Sequence, residues 1–249
     1  MIKKVVVSAA GQGTRMLELT KDKSKHLIDV QDRPFLAYLL DNIYQAGYKE
    51  IILVVGFKGE MIEFFTEEFV KDKPNLDIKL VSQFEVLGPK EKEYGTACPI
   101  KCVKDSIGGE NFISLCGDNF YSVPDLKAMN IEDGFNYVAG FKSDHPENFG
   151  VLLAEREFLN QIVEKPKDFV GNLVNTSLYK FTPEIFDKVF QIKKSPRGEY
   201  EITDAVSLLA KEGKVKVKEL SGFWMDFGRP EDIKKFENFL RSGSSKDLY

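Results

Sequence analysis

An apolar run that breaks into glycines constrains this chain more than any other feature. Val5-Val6-Val7-Ser8-Ala9-Ala10 has the uninterrupted, partly β-branched character of a buried strand, and Gly11-Gln12-Gly13-Thr14-Arg15-Met16 ends it in a turn. With no Cβ in the way, glycine lets backbone N–H groups approach an anion closely. Arg15 within the turn and Lys25 a short loop later add two positive charges where a polyphosphate would lie. The same residues also describe a tight strand-to-loop turn with surface cations, and the loop alone does not separate the two readings. Two better-known phosphate loops are excluded. The dinucleotide fingerprint needs a third glycine where Met16 stands, and the P-loop needs four residues between its glycines and then Gly-Lys-Ser/Thr.

The rest of the chain alternates strand and helix signals, which predicts an α/β fold with a largely parallel sheet. Arg33-Pro34 opens an amphipathic helix to about Ala46, with Asp32 as N-cap and Gly47 as its stop. A strand at 51–55, a helix at 60–70 and a strand at 78–82 follow, then a polar loop around Gly88-Pro89-Lys90-Glu91-Lys92-Glu93. Residues 95–103 read as helix and Phe112–Cys116 as a short strand. Further strands are expected at 137–142 and 150–154, a hairpin-like return at 161–165 and another strand at 174–181. Helices at 183–190 and Ile202–Lys211 precede strands at 215–220 and 223–227. A closing helix at 230–241 leaves a tail, 242–249, expected to fray. No repeat and no Gly-, Ser- or Pro-rich linker interrupts the chain, so 1–241 reads as one domain.

Composition narrows the function classes. An apolar fraction of 43% and a charged fraction of 30% are those of an ordinary globule. No apolar stretch approaches membrane-spanning length, and Met1-Ile2-Lys3-Lys4 runs straight into a strand, so a cytoplasmic protein without membrane partners is expected. Three cysteines, Cys98, Cys102 and Cys116, make no disulfide framework, and two distant histidines do not complete a zinc site. A net charge of −4 disfavours nucleic acid as a partner, although a few converging cations can still bind a small anion.

Several residues could carry chemistry. Asp118 follows a buried strand in Leu115-Cys116-Gly117-Asp118-Asn119, at the strand end where open sheets bind ligands. A carboxylate facing a phosphate loop needs a cation between them, and magnesium, bound by one or two carboxylates plus phosphate oxygens, supplies it. A capping aspartate is the alternative. Asp226, flanked by Trp and Phe in Trp224-Met225-Asp226-Phe227-Gly228, needs a metal or a hydrogen-bond network. In Glu164-Lys165-Pro166 the two charged side chains project to opposite faces unless the chain bends, which Pro166 favours. Bent, they suit a sugar hydroxyl and a phosphate; otherwise they are a solvated pair. Arg197, ahead of a helix, could face a phosphate or solvent, and the amide of Gln83 could read a pyrimidine edge.

Together these segments resemble the sugar-1-phosphate nucleotidyltransferases. The matching pieces, in order, include Ala9-Ala10-Gly11-Gln12-Gly13-Thr14-Arg15-Met16, Ser24-Lys25-His26-Leu27, Gln83, Tyr94-Gly95-Thr96-Ala97 and Gly117-Asp118-Asn119. They continue through Gly150, Val163-Glu164-Lys165-Pro166, Asn175-Thr176-Ser177-Leu178-Tyr179, Arg197-Gly198-Glu199-Tyr200-Glu201-Ile202-Thr203-Asp204 and Trp224-Met225-Asp226-Phe227-Gly228. The resemblance implies a Rossmann-like three-layer α/β/α sandwich around a mostly parallel mixed sheet. It places the nucleotide in roughly 1–120 and the sugar phosphate in roughly 121–228.

By the same resemblance, Arg15 and Lys25 are the catalytic cations, and Ala10, Gly11, Gly13 and Thr14 cradle the triphosphate. Gln83 and Gly95 read a uracil or thymine base, and Thr96 also binds the nucleotide. Gly150, Glu164, Lys165, Asn175 and Arg197 take the sugar phosphate, and Asp118 and Asp226 bind Mg²⁺. The implied reaction is NTP plus hexose 1-phosphate giving NDP-hexose and pyrophosphate, with UTP and glucose 1-phosphate suggested by the Ala-Ala-Gly opening and Arg-Met ending of the loop. Thymidylyl or cytidylyl transfer and a silent nucleotide-sugar sensor are the alternatives. Two features depart from the family pattern: Ser24 and Asp29 stand where proline is often found, and residues 87–93 form an insertion between Gln83 and Gly95. Whether copies of the chain assemble stays open.

Overall fold

Alternate side chains of the first strand leave in opposite directions, and both directions are buried. In the computed structural model, which describes residues 1–90 and 92–243, Val5, Val7 and Ala9 enter one core and Val6 another. A strand covered on both faces has no use for polar alternation, which is why this run is continuously apolar.

In chain order the strands are β1 (Lys4–Ala9), β2 (Asp29–Val30), β3 (Arg33–Pro34), β4 (Glu50–Val55), β5 (Asp77–Ser82), β6 (Phe112–Cys116), β7 (Asn119–Tyr121), β8 (Asn136–Lys142), β9 (Gly150–Glu155), β10 (Phe158–Glu164), β11 (Leu173–Phe181), β12 (Val215–Glu219) and β13 (Trp224–Asp226). The helices are α1 (Phe35–Gln45), α2 (Gly59–Phe69), α3 (Gln83–Leu87), α4 (Cys98–Cys102), α5 (Lys104–Ile107), α6 (Val123–Ala128), α7 (Glu184–Gln191), α8 (Ile202–Lys211) and α9 (Pro230–Ser242). Short 3-10 segments cover Thr14–Thr20, Lys25–Leu27 and Pro146–Asn148.

The main sheet runs β5-β4-β1-β6-β11-β8-β12-β10-β9. Its first four strands are parallel, so the loops that follow β1, β4 and β6 all emerge at one edge. The sheet is mixed beyond that point: β11 runs antiparallel to β6 and β8, β12 is parallel to β8, and β10 is antiparallel to β12 and β9. One continuous sheet thus crosses both halves of the chain. Helices α1, α2 and α6 cover one face and α4, α5, α7 and α8 the other, giving the expected three layers.

A third core lies off the sheet and matters most for the site. Two small antiparallel pairs, β2 with β3 and β7 with β13, are gathered by α9 around Phe35, Phe120, Phe227, Phe236 and Phe239. Phe35 stacks on Phe227 with centroids 4.1 Å apart and rings 8° from parallel. Because Phe227 adjoins Asp226, this stack fixes the carboxylate-bearing strand against α1.

The structure redraws a few local boundaries. Asp32 is not an N-cap: it sits at φ 60° in the turn joining β2 to β3, and α1 starts only at Phe35, with no side-chain cap on its N-cap residue Pro34. The short β2, β3, β7 and α6 escape a reading based on periodicity because they are too brief to show any. Ser242 closes α9 instead of opening a tail, and residues 244–249 lie outside the described residues. We expect Phe35→Ala to cost about 3–5 kcal/mol of stability in urea unfolding, because it opens a void in the third core. Phe190→Ala, at a side chain 55% exposed, should fall within about 0.5 kcal/mol of the unaltered protein. Equal effects from the two would contradict this account of the core.

Candidate active site

The parallel edge of the sheet brings the two ends of the chemistry together. The loop after β1 wraps around Lys25: a Cβ on Gly13, which sits at φ +66°, would lie 2.8 Å from Lys25 Cβ and 2.9 Å from Thr20 Cγ2. On Gly11 it would approach Lys25 Nζ to 3.5 Å. Gly13 is therefore required by packing against the lysine stem as well as by the turn, whereas Gly11 is in ordinary contact with the end of the lysine. Lys25 Nζ in turn donates to Asp118 Oδ2, joining the loop after β1 to the loop after β6.

Asp118 is held by several groups. Asn119 Nδ2 donates to its Oδ1 at 3.1 Å, and Trp224 Nε1 donates to Asn119 Oδ1 at 2.6 Å. The Phe227 N–H donates to the Asp118 carbonyl at 2.7 Å, which ties β13 to the same point. Arg15 reaches this centre from the glycine loop: a Cβ on Gly228 would lie 3.4 Å from Arg15 Nη2 and 3.3 Å from Asp226 Oδ2.

The electrostatics follow from this crowding. Burial works against the Asp118 carboxylate, but the Lys25 ammonium more than offsets it and holds the group at about 2. Burial also works against the Lys25 ammonium, and attraction to Asp118 and then Asp226 outweighs it, raising its pKa. Among the described residues Asp226 has no partner so close. Burial, then repulsion from Asp118, push it up to about 6 despite Arg15 and Lys25. Two carboxylates in mutual repulsion are what a divalent cation relieves. Among the described residues no group of three or more His, Cys, Asp or Glu converges, so a full protein cage is absent. A pair of carboxylates suits a hard cation whose remaining ligands are water and substrate oxygens.

On one side of Arg15 and Asp118 lies a compartment of about 300 Å³. Ala10, Gly11, Gly13 and Thr14 form one wall, and Gln83, Gly95 and Thr96 the other. Gln83 is buried at the start of α3. Gly95 sits at φ +131° with Tyr200 packed against it; a Cβ there would come 2.4 Å from the Tyr200 carbonyl oxygen and 2.5 Å from its nitrogen. Thr96 is already engaged: its hydroxyl accepts the Ile202 N–H at 2.9 Å and donates to Glu201 Oε2 at 3.2 Å.

On the other side lies a compartment of about 520 Å³ that contains Gly150, Glu164, Asn175, Arg197 and Asp226. Glu164 stands opposite Gly150 in the β9–β10 register, and a Cβ on Gly150 would meet Glu164 Oε2 at 3.1 Å, so the missing side chain makes room for the carboxylate. An irregularity in β11 between Asn175 and Tyr179 turns Ser177 to φ 59° and lets Asn175 Nδ2 donate to Tyr179 Oη at 2.8 Å. Arg197 Nη2 donates to Glu201 Oε1 at 2.7 Å, and that bond, the main cause of its raised pKa, holds the guanidinium at the rim.

Of the residues expected in the site, Lys165 alone does not line either compartment. The chain bends after Glu164 as Pro166 favours, with Lys165 at φ 44° and its N–H donating to the Phe149 carbonyl at 2.9 Å, but the side chain is exposed. Asn119, Tyr179 and Glu201 were not singled out from the sequence. In the sequence only their neighbours Asp118, Asn175 and Arg197 point to them: Asn119 takes its role from the distant Trp224, and Tyr179 and Glu201 take theirs from irregular local backbone that brings residues four apart together.

The chain matches known proteins over nearly its whole length. The family model described as nucleotidyl transferase matches residues 4–243. The bifunctional protein GlmU of Methanococcus maripaludis is 34% identical over 247 residues, covering 97% of this chain and 55% of its own length. The UTP–glucose-1-phosphate uridylyltransferase AglF of Haloferax volcanii is 31% identical over 249 residues, covering 97% of this chain and 98% of its own. Thus the chain spans about half the length of several bifunctional relatives and nearly all of AglF. Among solved structures, a UDP-glucose pyrophosphorylase complexed with UDP-glucose superposes with a TM-score of 0.82 at 25% identity, covering 98% of this chain and 100% of that one. A glucose-1-phosphate thymidylyltransferase described as putative, from Bacillus anthracis, gives 0.80 at 26%, with 96% and 95% covered. With that family model over residues 4–243 and relatives above 30% identical over nearly all of it, the chain belongs to the nucleotidyl transferase family, alongside sugar-1-phosphate nucleotidyltransferases.

Proposed function

We propose that this chain transfers a nucleotidyl group from an NTP to a hexose 1-phosphate, with UTP and glucose 1-phosphate as its substrates. The observation that carries the reading is that two compartments, one walled by the glycine loop and one by Glu164 and Asn175, meet at Arg15 and Asp118. A substrate in each would bring the α-phosphate and the sugar phosphate to that junction. The AglF relative and the UDP-glucose complex favour uridine and glucose.

The chemistry requires little from acid–base groups. A phosphomonoester's second pKa is about 6, so the sugar phosphate is already a dianionic nucleophile near neutral pH. Its oxygen forms a bond to the α-phosphorus as the bond to the bridging oxygen of the β-phosphate breaks, and pyrophosphate leaves. Arg15 and Lys25 stabilise the charge on the phosphate oxygens, and the loop N–H groups orient them. Asp118 and Asp226 would hold Mg²⁺, which when bound supplies further neutralisation of phosphate charge. Arg197, Glu164 and Asn175 orient the sugar phosphate, with the Glu164 carboxylate accepting from hydroxyls.

A pyrophosphate-release screen of UTP, dTTP, CTP, ATP and GTP against a panel of sugar 1-phosphates tests the reading, with UTP and glucose 1-phosphate expected to be fastest. Preference for dTTP would shift the assignment to thymidylyl transfer, and binding without turnover for any pair would favour a sensor. Arg15→Ala and Asp118→Ala should each lower kcat/KM by about 10²–10³-fold with an unchanged circular dichroism spectrum. Near-normal rates in either would sink the mechanism. Gly95→Ala should raise KM for the nucleotide far more than KM for the sugar phosphate, because the added methyl collides with the Tyr200 backbone at the nucleotide wall.

A further inference from the structure

The insertion at 87–93 falls between Gln83 and Gly95, which share one wall of the nucleotide compartment, and the described residues on either side of it are anchored. Ahead of it, the Ser82 hydroxyl accepts the Glu85 N–H at 3.3 Å and caps α3. Behind it, Glu93 Oε2 accepts from Lys101 Nζ at 2.8 Å, a lysine side chain only 5% exposed, and the Tyr94 carbonyl accepts the Tyr200 N–H at 2.8 Å. Between these anchors Lys90 turns toward the site. Its Nζ donates to Gln12 Oε1 at 2.7 Å and lies 4.8 Å from the centroid of the Tyr94 ring.

Gln12 is the residue between the two glycines of the loop, and Tyr94 precedes Gly95; both line the nucleotide compartment. The two groups that hold Lys90 are neutral, and its ammonium makes no ion pair with any described residue. A lysine whose partners among the described residues are an amide oxygen and an aromatic face has no opposite charge there to neutralise it and can serve a third group. Lys92, its neighbour two residues on, is by contrast exposed, with its stem against Gly88.

We propose that Lys90 is a further phosphate-binding residue, contacting the β- and γ-phosphates of the nucleoside triphosphate that leave together as pyrophosphate. The inference rests on the glycine loop being the triphosphate cradle. Gln12 then serves as the resting partner of Lys90 and holds it at the loop, and an oxyanion, a far stronger acceptor than a side-chain amide, draws the ammonium off or shares it. The insertion thereby adds a third cation to Arg15 and Lys25 on the leaving-group side. Its effect should be confined to ligands that carry terminal phosphates.

Calorimetric titration in Mg²⁺ of the unaltered protein, Lys90→Met, Lys90→Arg and Arg15→Ala with UTP, UMP and inorganic pyrophosphate tests this. Lys90→Met should weaken UTP and pyrophosphate by about tenfold, the size of one charge-assisted hydrogen bond, and leave UMP unchanged. Lys90→Arg should recover most of the loss. If Lys90→Met binds UTP normally while Arg15→Ala does not, the role of Lys90 is overturned and the cradle stands. Equal losses for UTP and UMP would also overturn it, since they place Lys90 on the base or in the fold. Failure of the unaltered protein to bind either UTP or pyrophosphate would contradict both the cradle and the inference.

Discussion

The ion pair between Lys25 and Asp118 is the constraint on which the rest of the site depends. It joins two loops that leave neighbouring parallel strands, and Gly13 of the first loop is needed because the lysine stem packs against it. A buried pair of this kind adds little net stability, since desolvation takes back most of the attraction. Its value lies in placement. One end of the pair sits under the anion loop, and the other presents a carboxylate toward Asp226 and Arg15.

Everything around the pair serves that placement. Trp224 orients Asn119, Asn119 orients Asp118, and the Phe227 N–H ties β13 to the Asp118 carbonyl. The aromatic core under α9 then holds β13 in position, so a cluster that lines neither compartment helps to place Asp226. The third core is where stability and function meet: loosening Phe35 would leave the sheet intact while freeing the strand that carries Asp226. Electrostatics give the arrangement its direction, because Asp118 is held ionised by Lys25 whereas Asp226 is raised by burial and by Asp118, a tension relieved by a divalent cation.

Much of this was legible in the sequence, and for identifiable reasons. Continuously apolar strands such as β1 and β6 and the periodic helix α8 declared themselves, and Phe112–Cys116 and Ile202–Lys211 need no revision. Arg15, Lys25, Asp118 and Asp226 stood out because charged residues beside glycine turns or between aromatics are costly without partners. What escaped were features decided by contacts distant in the chain. The β7–β13 pair is three residues long on each side, Asp32 looks like a cap but lies in a hairpin turn, and Asn119 gains its role only from Trp224. Lys165 shows the converse: the expected bend after Glu164 forms, yet it carries the ammonium outward. The insertion at 87–93 read as an interruption, and the fold lays Lys90 on the glycine loop.

The central claim is that the glycine loop, Asp118 and Asp226 form one metal-assisted triphosphate centre. Anomalous diffraction from crystals of the protein grown with UTP and Mn²⁺ tests it most directly. The account predicts one strong Mn²⁺ peak bonded to carboxylate oxygens of both Asp118 and Asp226, with triphosphate oxygens on the same ion and against the backbone of residues 11–15. A nucleotide bound away from that loop, or Mn²⁺ bound without Asp118 and Asp226, would contradict it.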